Sequence, residues 1–283
     1  MSAVAAPARA TGTNDTAGAR RIAAAFAAAH KADRAALIPY VVAGYPDAET
    51  SFRAALAAVD AGADLLELGL PYSDPLADGA TLQRASGVAL SNGATLEGSL
   101  ALIERIAAAR PSIPLVPMGY ANQFIGGGDG REAARRLSAA GASGVIVADL
   151  TPDEGTPFES VAREHDLAVV YLVAPTTPGD RRAEIARRSG GFLYCVSLVG
   201  VTGARTALPS TVGRLVRDVV AASPVPVGVG FGVSRPAHVR ALARAGAGGV
   251  IVASALVDAL GKDGRDVERM ATLVRELAGA TNR

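Results

Sequence analysis

The segment LLELGLPYSDPLADG, residues 65–79, contains three carboxylates, and burying a carboxylate is costly unless another group pairs with it or the site uses it. Glu67 interrupts an apolar run, and Asp74 and Asp78 follow in a stretch with two prolines. A buried carboxyl has a raised pKa and can exchange protons near neutrality, and a second carboxyl reaching the same pocket can take a different role. We therefore predict that Glu67 and Asp78 are catalytic. A structural ion pair for Glu67, and turn or cap positions for Asp74 and Asp78, are the alternatives.

Strand alternation predicts where the Glu67 side chain points. Leu65, Glu67 and Gly69 share one face of an extended segment, and three leucines share the other. The leucine face suits packing against helices, so we expect Glu67 to face the interior of the fold.

Glycine-rich segments after late strands predict a phosphate site. VGVGFGVSRP (227–236) and GVIVASALV (249–257) each lead from a strand into a helix, where free backbone N–H groups bind anions. Gly203 lies in a third such segment, GVTG. Gly228, Gly230 and Gly232 have the spacing G-x-G-x-G, whereas a dinucleotide-binding motif has G-x-G-x-x-G. Glycines that serve only tight turns are the alternative.

Eight short apolar runs separated by amphipathic segments predict an α/β fold, a single (β/α)8 TIM barrel. The runs span residues 37–42, 64–70, 115–120, 144–150, 167–173, 192–197, 224–231 and 249–254. An open doubly wound sheet is the alternative. We also expect an extra N-terminal helix and long loops after strands 2 and 6. Such loops carry function, and both would lie on the barrel face where active sites form.

Composition excludes several classes of protein. The 283 residues carry a net charge of +1, which gives no field for nucleic acid or an anionic membrane. One cysteine, Cys195, and three scattered histidines leave no zinc ligand set and suit the cytoplasm. We expect residues 1–19 to be a disordered leader and residues 20–283 to be one catalytic barrel, with no membrane span.

Several motifs occur together in the order found in one enzyme family. LLELGLPYSDPLADG, the Tyr-Ala-Asn of residues 120–122, GVTGAR and GFGVS closely resemble the tryptophan synthase alpha subunit, from about Leu37 to the C-terminus. The resemblance implies a TIM barrel that cleaves indole-3-glycerol phosphate to indole and glyceraldehyde 3-phosphate. By resemblance, Glu67 is the general acid and base, and Asp78 accepts the indole N–H and stabilises positive charge.

The same resemblance implies the substrate-binding residues. Gly203, Gly232 and Ser254 match phosphate-binding positions, and Tyr194 matches a tyrosine of the pocket. Thr202 matches a residue of the lid. Tyr120 is also expected to bind substrate, although ordinary barrel packing accounts for either tyrosine equally well.

The family needs no cofactor or metal, and pyridoxal phosphate is expected only in its beta partner. The implied assembly is α2β2, in which indole is channelled to the beta subunit, with Pro71, Asp74 and Asn122 near the docking face. A stand-alone lyase that releases indole and a silent modulatory subunit are the alternatives. Departures from the family pattern are Thr151, Ala253 and the glycine-rich segment 123–130.

Overall fold

Nine parallel strands alternate with helices in the part of the chain that the computed structural model describes, residues 15–196, 210–230 and 232–283. The strands are β1 (Ala36–Val42), β2 (Leu66–Gly69), β3 (Leu115–Gly119), β4 (Gly144–Val147), β5 (Ala168–Val170), β6 (Leu172–Val173), β7 (Leu193–Val196), β8 (Val227–Gly230) and β9 (Gly249–Val252). The helices are α1 (Ala17–Lys31), α2 (Ala48–Asp60), α3 (Ala80–Ser91), α4 (Leu96–Ala109), α5 (Ala121–Ile125), α6 (Arg131–Ala139), α7 (Pro152–Glu164), α8 (Gly179–Arg188), α9 (Ser210–Ala222), α10 (Pro236–Arg244), α11 (Ser254–Ala259) and α12 (Val267–Ala278). Each predicted apolar run overlaps at least one of these strands.

The sheet closes into a barrel through its fifth predicted strand. The strand order is β5-β4-β3-β2-β1-β9-β8-β7-β6, so β5 and β6 are its two ends. Both come from the single apolar run 167–173 and are separated only by Tyr171. The barrel prediction is therefore confirmed, and the open sheet is wrong.

Tyr171 interrupts the strand because its backbone bonds to two different elements. Its N–H donates to the Ser189 hydroxyl (3.0 Å), and its carbonyl accepts from the N–H of Tyr194 (3.0 Å). Its ring points outward, where its hydroxyl donates to the buried Glu159 of α7 (2.5 Å). One half of the run thus pairs with β4, and the other half pairs with β7.

Two apolar cores lie on opposite faces of the barrel wall. The inner core contains residues in the strands or directly before them, among them Leu65, Val116, Ile146, Val170, Phe192 and Ile251. Helix α1 contributes Ile22 and Phe26 to this same core, so a helix precedes β1 as expected and packs against the barrel interior. The outer core, between strands and surrounding helices, contains Leu66, Leu68 and Leu70. The predicted division of faces along β2 is therefore present.

The structure also bears on the predicted N-terminal leader and on the two predicted long loops. Thr16 caps α1 through its side chain, so the proposed leader boundary at residue 19 falls inside this helix. The connection after β2, residues 70–114, holds α3 and α4. The predicted loop after the sixth run spans roughly residues 198–223; its first part, up to residue 209, lies outside the described residues, and its second part holds α9. Where the chain is described, no helix has the length and apolarity to cross a membrane, and no histidine, cysteine, aspartate and glutamate cluster is arranged for a metal.

Candidate active site

Glu67 projects from β2 into the barrel interior. It pairs in register with Tyr40 of β1 and Val116 of β3, and only 1% of its surface is exposed. Neither carboxyl oxygen has a hydrogen-bond partner among the described residues. Burial, and secondarily the charge of Asp78, raise the pKa of Glu67 from about 4.5 to about 8. The ion pair considered for Glu67 is absent from the part of the chain that the structure describes.

Asp78 approaches the same site from the loop after β2. Its N–H donates to the Pro75 carbonyl (3.1 Å), and its own carbonyl accepts from the Gln83 side chain of α3 (3.0 Å). Burial raises the pKa of Asp78 from 3.8 to about 6, and interaction with the Tyr120 hydroxyl acts in the opposite direction. The structure therefore brings together the two carboxyls that the sequence singled out.

Tyr120 links the Asp78 loop to the end of β3. Its hydroxyl accepts a hydrogen bond from the N–H of Ala77 (3.1 Å), and its ring stacks on Tyr72 at a centroid distance of 5.1 Å. Burial raises its pKa above the ordinary value, and the charge of Asp78 adds to the shift. Tyr120 is thus placed to contact both the loop and its carboxylate.

Two further tyrosines complete the wall around the carboxyls. Tyr194 of β7 is buried, and a Cβ at Gly230 would lie 2.6 Å from its hydroxyl. Tyr40 of β1 has the same relation to Gly69, where a Cβ would lie 1.7 Å from the Tyr40 hydroxyl. Burial raises the pKa of both tyrosines well above the ordinary value, and Glu67 and Asp78 add to the shift.

Tyr40 is a site residue that was not predicted from the sequence, although the sequence carries a signal for it. Ala36 and Ile38 both belong to the inner core, and alternation from them puts Tyr40 on the same face. It also stands near the C-terminal end of β1, the end at which barrel active sites form. Only the pairing of β1 with β2 places it opposite Glu67.

Asp149 fixes the helix that carries the Tyr-Ala-Asn motif. Its carboxylate accepts the N–H of Ala121, the first residue of α5, at 2.7 Å. Helix α7 has a different N-cap, Thr151, with Pro152 at its first position. Asp149 therefore holds a neighbouring segment and does not cap α7.

The predicted phosphate residues are only partly described. Gly232 follows β8 and adopts a left-handed conformation (φ +74°), whereas Ser254 follows β9 and opens α11. Strands β8 and β9 are paired neighbours, so both positions follow adjacent strands at the same end of the barrel. Thr202 and Gly203 lie outside the described residues.

Residues expected near a docking face differ in exposure. Asp74 and Asn122 are exposed, whereas Pro71 is buried and its carbonyl accepts from the Gln123 side chain (3.1 Å). The glycine-rich segment 123–130 begins inside a short helix, α5, and ends at the N-cap of α6.

Cys195 and His238 are both buried side chains. Cys195 lies in the outer core, and burial raises its pKa to about 12. His238 is buried, and its Nδ1 accepts the N–H of Ser234 at 3.3 Å.

Comparison with known proteins agrees with this geometry. The family model "Tryptophan synthase alpha chain" matches residues 26–282. The tryptophan synthase alpha chain of Roseiflexus castenholzii is 47% identical over 261 residues, 92% of this chain and 99% of the relative. That of Methanothermobacter thermautotrophicus is 45% identical over 249 residues, 88% and 92% of the two chains.

Solved structures show the same similarity. A chain of Mycobacterium tuberculosis tryptophan synthase superposes with a TM-score of 0.85 at 40% identity, covering 93% of this chain and 98% of the other. A chain of the tryptophan synthase complex from Pyrococcus furiosus gives a TM-score of 0.81 at 37% identity, covering 87% and 99%. The protein described above thus belongs to the tryptophan synthase alpha chain family.

Proposed function

We propose that this chain is the alpha subunit of tryptophan synthase and cleaves indole-3-glycerol phosphate in tryptophan biosynthesis. The products are indole and glyceraldehyde 3-phosphate, and the reaction is a carbon–carbon lyase reaction of the retro-aldol type. The observation that carries the proposal is Glu67: it is buried, unpaired among the described residues, and close enough to Asp78 for the two charges to interact.

Glu67 can perform both proton transfers of this reaction. With a pKa near 8 it is mostly protonated at neutral pH, so it can donate a proton to C3 of the indole ring. The resulting carboxylate then accepts the proton of the hydroxyl on the adjacent side-chain carbon as the carbon–carbon bond breaks. The bonding electrons return to the indole ring, the hydroxyl carbon becomes the aldehyde, and Glu67 is protonated again.

Asp78 has the complementary role. With a pKa near 6 it is mostly ionised at neutral pH. Protonation at C3 leaves positive charge on the indole nitrogen, and a carboxylate that accepts the indole N–H stabilises this charge in a water-poor site. Two carboxyls with separated pKa values thus divide the acid and electrostatic tasks.

The remaining sequence-predicted residues bind the substrate in this proposal. Gly203, Gly232 and Ser254 bind the phosphate, Tyr120 and Tyr194 form the wall of the indole pocket, and Thr202 belongs to a lid. Gly232 and Ser254 support this assignment because they follow paired strands at one end of the barrel.

The reaction written above needs only proton transfer and charge stabilisation, so we propose that it uses no cofactor or metal. We also propose a cytoplasmic α2β2 assembly with the pyridoxal-phosphate-dependent beta subunit, which receives indole from this chain. Similarity to chains of tryptophan synthase from two organisms supports the partnership. Exposed Asp74 and Asn122 are proposed to lie at the docking face beside Pro71.

Replacing Glu67 by glutamine tests the proposed chemistry. We expect Glu67→Gln to lower kcat by roughly 10²–10⁴-fold, because the amide cannot transfer the protons, and to leave substrate binding nearly intact. Stopped assays for indole and calorimetric titration with the substrate measure the two quantities. A wild-type chain that cleaves no substrate even with a beta subunit would reject the function, and failure of the variant to bind substrate would reject the role of Glu67.

Adding a beta subunit to the purified chain tests the assembly. We expect slow cleavage by the chain alone and a large increase on addition, because the partner favours the closed site. Fast turnover that the beta subunit leaves unchanged would indicate the stand-alone lyase instead.

A further inference from the structure

The amide of Gln123 connects two segments that are far apart in the sequence. Its oxygen accepts the N–H of Tyr120 at 3.0 Å, and its nitrogen donates to the carbonyl of Pro71 at 3.1 Å. Both distances are those of good hydrogen bonds. One partly buried side chain therefore joins the start of α5 to the start of the loop that carries Asp78.

The same loop returns to Tyr120 at two other points. The ring of Tyr72 stacks on that of Tyr120, and the N–H of Ala77 donates to the Tyr120 hydroxyl. Since this hydroxyl already accepts a hydrogen bond from Ala77, its own proton is available for the carboxylate of Asp78. The position of Tyr120 thus determines how well its hydroxyl can donate a hydrogen bond to the carboxylate of Asp78.

We propose that Gln123 is a positioning residue for Asp78. By holding the main chain of Tyr120 and the carbonyl of Pro71 at once, it fixes the Tyr120 hydroxyl beside the carboxylate. The relevance of this role to catalysis depends on the proposed function, whereas the positioning itself does not.

A simpler role for Gln123 is that of a helix cap. As the third residue of α5 it accepts the N–H of the N-cap residue, which is one half of a capping box. That role uses only the amide oxygen, and the donation to Pro71 plays no part in it. If Gln123 is only a helix cap, its replacement should lower the stability of the protein and leave the pKa of Asp78 unchanged. The two roles therefore have different consequences.

Four titratable groups interact electrostatically with Asp78 in the part of the chain that the structure describes. They are Glu67, Tyr40, Tyr120 and Tyr194. The three tyrosines have pKa values raised above the ordinary value and remain neutral in a titration from pH 4 to 8. The apparent pKa of Asp78 measured in this pH range therefore depends on the charge of Glu67 and on the orientation of the tyrosine hydroxyls.

Carbon-13 NMR titration of the Asp78 carboxyl in the isolated chain tests the proposal without any activity measurement. We expect Gln123→Met, which removes both hydrogen bonds at nearly constant volume, to raise the apparent pKa of Asp78 by about half a unit or more, because the Tyr120 hydroxyl then serves the carboxylate less well. Tyr120→Phe should raise it as well. The matched control is Glu132→Gln on exposed helix α6, which should leave the pKa of Asp78 unchanged.

A double-mutant cycle of Gln123→Met and Tyr120→Phe tests whether Gln123 acts on Asp78 through Tyr120 or independently of it. If Gln123 acts through Tyr120, Gln123→Met should add little to Tyr120→Phe, so the shifts are strongly non-additive. We also expect Gln123→Met to lower kcat by about tenfold to a hundredfold with little change in KM.

Two results would overturn the proposal: an unchanged Asp78 pKa in a folded Gln123→Met chain, or fully additive shifts in the cycle. Gln123→Leu repeats the measurement should the methionine variant fail to fold. A chain that shows the NMR shifts but cleaves no substrate would refute the proposed function and leave the positioning role supported.

Discussion

At neutral pH the two carboxyls of the site differ in charge because their surroundings differ. Glu67 is enclosed by the barrel wall with no donor to its oxygens among the described residues, so desolvation dominates its pKa. Asp78 is less enclosed, and the Tyr120 hydroxyl offsets part of its desolvation. An acid and an anion therefore coexist in one site, as the proposed reaction requires.

The pH dependence of cleavage follows from this difference. We expect kcat/KM to be bell-shaped, falling below about pH 6 as Asp78 becomes protonated and above about pH 8 as Glu67 loses its proton. Because the two groups interact, these limits belong to the pair. Initial rates from pH 5 to 9 measure the profile, and Asp78→Asn should remove its acidic limb. An acidic limb that survives in Asp78→Asn would contradict the assignment.

Glu67 also affects the pH dependence of stability. Its pKa is higher in the folded chain than in the unfolded chain, so the folded state binds the extra proton and its stability falls as pH rises from about 4.5 to about 8. The shift corresponds to roughly 5 kcal/mol at the alkaline end. Glu67→Gln should therefore be more stable than the wild type at pH 8 by several kcal/mol.

Urea unfolding at pH 5 and pH 8 measures this effect. The control is Glu104→Gln, on an exposed position of α4, which should change the free energy of unfolding by at most about 0.5 kcal/mol. Equal stability of wild type and Glu67→Gln at pH 8 would show that Glu67 is solvated or paired.

Among the elements, the interrupted fifth strand depends on a tight contact with a helix. The hydroxyl of Tyr171 reaches α7 beside Gly155, where an added Cβ would lie 2.0 Å from the hydroxyl oxygen. Arg188 of α8 also donates to the Glu159 carboxylate that accepts this hydroxyl. The position at which the barrel closes is therefore connected to two of the surrounding helices.

Replacing Gly155 by alanine should destabilise the barrel. Alanine normally favours a helix over glycine, but here the methyl group would collide with Tyr171, and we expect a net loss of about 1–3 kcal/mol. The matched change is Gly87→Ala at an exposed position of α3, where a Cβ meets nothing within 4 Å and a gain of about 0.5–1 kcal/mol is expected. Urea unfolding measures both. A stabilising Gly155→Ala would show that Tyr171 moves aside freely.

For the whole molecule, the two ends of the barrel have different tasks. The two carboxyls of the proposed active site approach from β2 and from the loop after it, whereas α1 inserts Ile22 and Phe26 into the inner core. A Cβ on Gly249, the first residue of β9, would lie 2.7 Å from the Phe26 ring, so α1 packs at the end where strands begin. Stability and chemistry are thereby separated along the barrel axis.

Truncation of Phe26 should expose this separation. Phe26→Ala leaves a cavity in the inner core and should cost about 3–5 kcal/mol of unfolding free energy, with kcat within about twofold of the wild type below the melting transition. Thermal unfolding and initial rates at 20–25 °C measure the two effects. Ala27→Ser, on the exposed face of α1, is the control. A large loss of kcat in folded Phe26→Ala would show that the two ends are coupled.

The sequence by itself indicated the barrel, its two core faces and the two carboxyls of the proposed active site. These follow from local regularities: apolar runs at strand length, alternation around Glu67, and a proline-limited loop that ends in Asp78. Each is a property of neighbouring residues, so it can be read without knowing the packing of the chain.

Only the tertiary structure decided which residues surround those carboxyls. Tyr40 meets Glu67 through strand register, and Gln123 reaches Pro71 across 52 positions of sequence. The break at Tyr171 likewise arises from partners on three other elements. Such contacts depend on how strands and helices pack, and local spacing carries no information about that packing.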